Sequence, residues 1–255
     1  MKPGVSTLIN NFYIYVFNGF VDSEGFVSAQ PALVKFEYKP YYEYSISDSW
    51  AVGFSPSFQH IASEYYVGSK ELDYNDAMAS ADIFIKRLLF KSDEYHYAIS
   101  LTPMVEVPGV YKEETTPFFG KQESFWGIYT DFGINTYSIE DNYGYVNIQT
   151  GIRSRFSESF SDESGSSSKS DILVSLPITV AHSINAGFNY TKSLSGYSGG
   201  TYSFLNRYGY DAAQVSISDV YRYRGFDLEF GYISQFYARN GGVGDAIKFS
   251  IWHNF

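Results

Sequence analysis

Residues 32–46 read Ala-Leu-Val-Lys-Phe-Glu-Tyr-Lys-Pro-Tyr-Tyr-Glu-Tyr-Ser-Ile. Val34, Phe36, Tyr38, Pro40, Tyr42 and Tyr44 alternate with Lys35, Glu37, Lys39, Tyr41 and Glu43. Successive side chains of a strand point to opposite faces, so this segment carries one greasy face and one largely charged face. It runs well past the five or six residues usual for a strand of a soluble protein. After Ser47, Asp48 and Ser49 the alternation resumes, with Trp50, Val52, Phe54, Pro56 and Phe58 on one side and Ala51, Gly53, Ser55, Ser57 and Gln59 on the other. The two runs form a hairpin with a tight polar turn.

The same period recurs along all 255 residues, which form one domain, 1–255, with no linker between stretches of different composition. It predicts strands at about 7–18, 77–90, 95–107, 124–138, 143–156, 171–181, 185–194, 208–221, 225–237 and 245–255, which with the hairpin make twelve. Short turns are expected at Ser45 to Ser49, Lys91 to Glu94, Glu140 to Asn142, His182 to Ile184 and Arg222 to Gly225. Longer segments rich in Gly, Ser and charge fall at about 19–30, 62–76, 108–123, 157–170, 195–207 and 238–244. Sorting of connections by length is what a closed barrel inserted from one side of a membrane predicts. The fold class read from these patterns is all-β: a transmembrane antiparallel up-and-down barrel with short periplasmic turns, long extracellular loops and both termini in the periplasm.

Composition narrows the function classes. Tyr 25, Phe 22 and Trp 3 make the chain 20% aromatic, against 18% charged, which disorder of low complexity does not produce. Cysteine is absent, removing disulfides and thiolate chemistry. The net charge of −10 repels nucleic acid. No run of 18 apolar residues exists to make a spanning helix. The start, Met1 to Val5, lacks the apolar core of a secretory signal, so the expectation is a mature outer-membrane chain whose signal has been removed. Trp50, Tyr95, Tyr97, Trp126, Tyr143, Tyr208, Tyr210, Tyr221 and Trp252 lie near strand ends, where interfacial aromatic girdles belong.

If the apolar parity faces lipid, the other parity lines a wet lumen. The lining candidates are Lys35, Glu37, Lys39 and Glu43 on the first hairpin, Asp82, Lys86, His96 and Glu106 on the next pair, then Asp131, Arg153, Arg155, Asp227 and Glu229. Inward ions usually pair with one another, so they form either a self-neutralising lattice or a charged constriction. Arg153 and Arg155 could meet Asp227 and Glu229 across the lumen. Tyr13 and Tyr15, with Phe17, add an aromatic inner surface, and Leu173, Ser175, Pro177, Thr179 and Ala181 a small, weakly polar one. Pro40, Pro56, Pro103 and Pro177 fall within strands, where each removes a ladder donor and marks a bulge, kink or opening.

The last strand alternates Ile247, Phe249, Ile251, His253 and Phe255 with Ala246, Lys248, Ser250, Trp252 and Asn254, and stops on the aromatic residue. It resembles the terminal strand of Gram-negative outer-membrane channels, in which such an ending is read by the barrel-assembly machinery; Phe255 would be that signal, and His253 departs mildly from the pattern. The hairpin Phe36 to Phe58 and the segment Leu173 to Tyr190 are similar to the outer-membrane channels associated with a meta-pathway of phenol degradation, over about a fifth of the chain. That resemblance implies passage of small, rather apolar organic molecules, with bilayer and lipopolysaccharide as partners. The alternatives are a general or oligosaccharide porin and a closed structural or adhesive barrel.

An enzyme is not expected. His182-Ser183-Ile184-Asn185 offers the residue types of an outer-membrane phospholipase, and Asp82, Asp131 and His96 those of an outer-membrane protease, but neither spacing demands it. No cofactor or metal-ligand cluster is implied. The acidic, Ser-rich stretch from Ser157 to Ser170 reads as a solvated loop.

Overall fold

In hydrocarbon every backbone N–H and C=O must find a partner within the protein, which only a helix or a closed barrel achieves. The computed structural model takes the second route. It describes residues 2–21, 26–28, 33–67, 69–92, 96–109, 124–155, 166–194, 211–239 and 241–255. The strands are β1 (Ser6–Val21), β2 (Val27–Ser28), β3 (Leu33–Ser45), β4 (Trp50–Val67), β5 (Ser69–Ser92), β6 (Tyr97–Pro108), β7 (Phe125–Ile139), β8 (Asn142–Arg155), β9 (Ser167–Pro177), β10 (His182–Ser193), β11 (Asp211–Tyr223), β12 (Phe226–Arg239) and β13 (Gly241–Asn254). Apart from the two-residue β2, which pairs with β1, each strand pairs antiparallel with its sequence neighbour, and β13 closes on β1. The result is a closed barrel of twelve wall strands.

The seam runs from Thr7 opposite Asn254 to Val21 opposite Gly241, with one bulge between Phe17 and Gly19. Its turn end is fastened by the terminal residue itself: Ser6 N donates to Phe255 O at 2.7 Å and Phe255 N to Ser6 O at 3.0 Å. Gly4 N donates to Ser45 O, holding the N-terminal residues at that rim. Closure removes the exposed edges that would otherwise template association.

The tight connections take the residues their geometry needs. Arg224 and Gly225 both have positive φ, 50° and 86°, as a type I′ hairpin requires. The β9–β10 turn occupies 178–181, with Thr179 N and Ile178 N donating to His182 O, so His182 opens β10 instead of sitting in the turn, and Ile178 and Val180 leave the strand. Where expected loops lie at 62–76 and 238–244, the described residues are strand: β4 and β5 pair out to Val67 and Ser69, and β12 and β13 run to Arg239 and from Gly241. Ser167 to Ser170 also belong to β9. Residues 157–165, 110–123 and 195–207 lie outside the described residues, as do Tyr95, Tyr208 and Tyr210.

The two faces of the wall are opposite in kind. Ile83, Ile217 and Phe230 are more than half exposed with no protein over them, while Ser250, Glu229 and Glu106 on the other parity are buried. Aromatic residues mark both rims of the outer face, Trp50, Tyr221 and Tyr223 toward the turns and Trp126 and Tyr237 toward the other end. An apolar belt between aromatic rims, around a polar interior, is the pattern of a barrel whose solvent is lipid.

Pro40 and Pro56 interrupt the wall together. The β3–β4 ladder pairs Tyr38 with Phe58 and Tyr42 with Phe54, and in the same register the two prolines face each other with no N–H to exchange. Ser55 Oγ donates to Pro40 O at 2.9 Å and takes up the acceptor left over. Pro103 lies in a similar break, between the Phe84–Met104 and Arg87–Leu101 pairs. Ser55→Ala removes the hydroxyl from a nearly dry position and is expected to lower the unfolding free energy in lipid vesicles by about 1–3 kcal/mol.

Candidate functional site

Because side chains alternate strictly, the inward face of each strand follows from any one of its members. On β3 the inward residues are Lys35, Glu37, Lys39, Tyr41 and Glu43, and on β5 they include Asp82, Phe84 and Lys86. These two sets meet over the small residues of β4. Lys39 Nζ reaches Asp82 at 3.1 Å and Lys86 Nζ reaches Glu43 at 2.6 Å, each bridging across β4. Gly53 makes room for this: a Cβ there would lie 2.3 Å from the Phe84 ring and from Tyr42 O. The Tyr41 and Phe84 rings stack above it at 5.3 Å, and the Tyr41 hydroxyl donates to Glu43.

The other inward ions have partners as well, ionic for all but Asp131. Lys35 holds Glu37 at 2.9 Å, and Ser57 Oγ donates to the same carboxylate. Arg153 reaches from β8 over β7 to Glu106 on β6 at 3.3 Å, and its guanidinium lies 5.3 Å from the Phe125 ring centre. Asp131 accepts from Gln149 Nε2 at 2.6 Å and from Thr102 Oγ1. Glu229 accepts from Ser218 Oγ and lies 2.7 Å from Lys248 Nζ. Asp227 pairs with Arg222. Arg153 therefore does not reach across to Asp227 or Glu229; both acids are satisfied on their own side. Apart from Asp131, which neutral donors hold, the arrangement is a lattice of local pairs, within a strand or across at most one intervening strand, which stiffens the wall and leaves little net local charge.

Two candidates stand elsewhere. His96 is not on a strand: it sits exposed just before β6 with φ of 51°, its carbonyl accepting from Asn135 N. Arg155 ends β8 opposite Phe125, and its side chain lies outside the described set. Trp252, expected in a girdle, is inward: it shares the face of Lys248 and Ser250 on β13 and borders a small recess with Glu229 and Asn185. Its lone donor, Nε1, is buried without a partner, as is Asn185 Oδ1.

The aromatic inner surface lies on β1. Tyr13 and Tyr15 stack with centroids 5.6 Å apart, and Tyr15 and Phe17 with centroids 5.8 Å apart and planes within 9°. Lys35 Nζ stands 4.1 Å over the Tyr15 ring. Every second residue of a strand can stack this way because they share one face. Phe12, Ile14 and Val16, the alternate residues, are exposed on the outside. The interior therefore contains a three-ring ladder along the axis, edged by the Lys35–Glu37 pair.

The residues of the two catalytic readings are placed apart or engaged with other partners. His182 and Ser183 are consecutive strand residues and point to opposite faces: His182 packs on Tyr221 and lies 3.3 Å from Asp219, while Ser183 Oγ donates to Asn142 Oδ1 inside. Asp82 and Asp131 are held by Lys39 and by Gln149, and His96 is out of their wall. Among the described residues no group of three or more His, Cys, Asp or Glu is placed to hold a metal ion.

No family model matches the chain, and no curated protein matches it in sequence. Solved structures match in shape. The COG4313 outer membrane channel from Pseudomonas putida F1 superposes with a TM-score of 0.75 at 10% identity, over 100% of this chain and 97% of that one. The beta domain of the Bordetella autotransporter BrkA gives 0.55 at 7% identity, over 99% and 100%. The translocator domain of the autotransporter NalP from Neisseria meningitidis gives 0.52 at 9%, over 100% and 90%. At these identities the likeness is one of fold, and the fold is that of outer-membrane barrels.

Proposed function

We propose that this barrel is a passive outer-membrane channel for small organic solutes of apolar or aromatic character. The observation that carries this reading is the Tyr13–Tyr15–Phe17 ladder, which offers stacked ring faces along the inside of the barrel. Fixed charges that neutralise each other give weak selection among ions. The half-buried aromatic surface of the ladder gives attraction to flat apolar solutes. The similarity in shape to an outer membrane channel fits this role. The chemistry needs no cofactor and no energy source, since the concentration difference drives the flux.

In this reading the termini and tight turns lie on the periplasmic side, the rim of the opposite end meets lipopolysaccharide, and the strand ending at Phe255 is the part the assembly machinery reads. The lining is formed by Lys35, Glu37, Lys39, Glu43, Asp82, Lys86, Glu106, Asp131, Arg153, Asp227 and Glu229, with Tyr13 and Tyr15 as the solute-facing surface.

Proteoliposome swelling tests the role. The barrel should pass 4-hydroxybenzoate faster than a disaccharide, and Tyr15→Ala should cut that flux about two- to tenfold, the factor expected from one lost stacking contact. Equal rates for the acid and the sugar would make it a general porin, and no swelling with either would make it a sealed barrel.

A further inference from the structure

The inward cations Lys35, Lys39, Lys86, Arg153 and Lys248 each hold a carboxylate. Arg87 follows Lys86 on β5 and so turns to the other face of the wall. There it stands exposed, opposite Trp50 in the β4–β5 ladder, with its guanidinium 5.0 Å from the centre of an indole that is itself 41% exposed. Among the described residues no carboxylate pairs with it, Asp48 of the neighbouring turn included, and no carbonyl takes its N–H groups. Five donors and a full positive charge are left facing outward beside a single ring.

The depth of this cation says what meets it. Trp50 belongs to the aromatic rim toward the turns, the level at which such rings sit among lipid headgroups. Toward the bilayer centre the same face continues as Ile85 and Ile83 on β5 and Phe54 on β4, each about half exposed. Arg87 is thus the charged end of an apolar strip, and its long stem lets the guanidinium lie in the headgroup layer while the strip lies in hydrocarbon. A guanidinium presents two parallel N–H groups that match the oxygens of a phosphate. The molecule that offers a phosphate at one level and apolar chains at the next is a phospholipid.

Charge selects among phospholipids. A zwitterionic lipid brings an ammonium along with its phosphate and leaves the positive charge of the site uncancelled. A lipid whose phosphate is its sole charge cancels it. We infer that Arg87 and Trp50 form a headgroup site on the outer wall for an anionic phospholipid, the guanidinium holding the phosphate and Ile85, Ile83 and Phe54 carrying the acyl chains. The site depends on the outward orientation of this face and not on what the lumen passes.

Trp50 itself reports on the site, because in the Trp126→Phe/Trp252→Phe protein it is the only indole. That protein is folded into vesicles of phosphatidylglycerol and phosphatidylcholine, in which first one lipid and then the other carries bromine near the carbonyl end of its acyl chains. Bromine quenches on contact, so the two quenching curves give the relative association of the two lipids at Trp50. Phosphatidylglycerol should be favoured about fivefold, and Arg87→Gln should bring the ratio close to one. Measuring both lipids against the same protein cancels any change in the emission of the indole once the guanidinium is gone. Arg87→Lys, which keeps the charge and loses the fork, should retain part of the preference and provides the comparison should Arg87→Gln not fold. Equal quenching by the two lipids in the barrel that keeps Arg87, or a preference left unchanged by Arg87→Gln, would overturn the site.

Discussion

Ile217→Arg lowers the stability of the barrel in phospholipid vesicles by about 2–4 kcal/mol, read as a shift of the urea unfolding midpoint at constant slope. Ile217 lies at the middle of β11, opposite Tyr232 on β12 and Ala186 on β10, and is 57% exposed. On a water-soluble protein so exposed a site tolerates arginine within about 0.5 kcal/mol. Hydrocarbon does not, because the guanidinium must be drawn out of water to the depth of the bilayer centre. Ile46, equally exposed in the turn between β3 and β4, provides the contrast: Ile46→Arg lies beyond the hydrocarbon and is expected to cost close to nothing. Equal, small costs at both positions would contradict the outward orientation of the apolar face.

Lys248→Met is expected to destabilise the barrel by about 3–5 kcal/mol, since it takes the cation from Glu229 and leaves a buried carboxylate with the Ser218 hydroxyl as its remaining donor. The double substitution Lys248→Met/Glu229→Leu removes both charges and should recover most of the loss, because the larger part of the single cost is a stranded charge and not the value of the pair. The same unfolding measurement on the four proteins of the cycle gives the coupling. If single and double substitutions cost the same few tenths, the pair is bathed in bulk water and the inner wall is wetter than the geometry indicates.

How much of this was legible in the sequence depends on what kind of signal each feature leaves. The face of Lys35, Glu37, Lys39 and Glu43 was readable because a period of two fixes it residue by residue, and the same parity puts Tyr13 and Tyr15 inside. That parity also places Trp252 with Lys248 and Ser250; expecting it in a girdle gave weight to its nearness to the chain end over the alternation. The outer parts of β4 and β5 look like loop in the sequence because strands that leave the bilayer need no apolar face, so the alternation fades while the ladder continues. Gly241, Gly242 and Gly244 read as loop for another reason: their composition suits turns, yet they pair with Val21, Phe20 and Phe17 along the seam. The turn at 178–181 contains Ile178 and Val180 where a polar turn is the usual signal, so the sequence points to His182 instead.

What the sequence could not carry is register. Pro40 and Pro56 are each visible, but that they face each other is a property of the pairing. Arg153 had several acids within imaginable reach, and only the stagger of β6, β7 and β8 selects Glu106. The recess at Asn185 gathers residues from strands far apart in the chain, and no local pattern announces it.

The central claim is that one parity of every wall strand meets lipid tails while the other meets a polar lumen. It is tested most directly with three single-tryptophan proteins, retaining Trp50, Trp126 or Trp252, folded into vesicles whose acyl chains carry bromine. Heavy-atom quenching acts only on contact. Strong quenching of Trp50 and Trp126 with little for Trp252 is the predicted result; quenching of Trp252 as strong as theirs, or of none of the three, would contradict it.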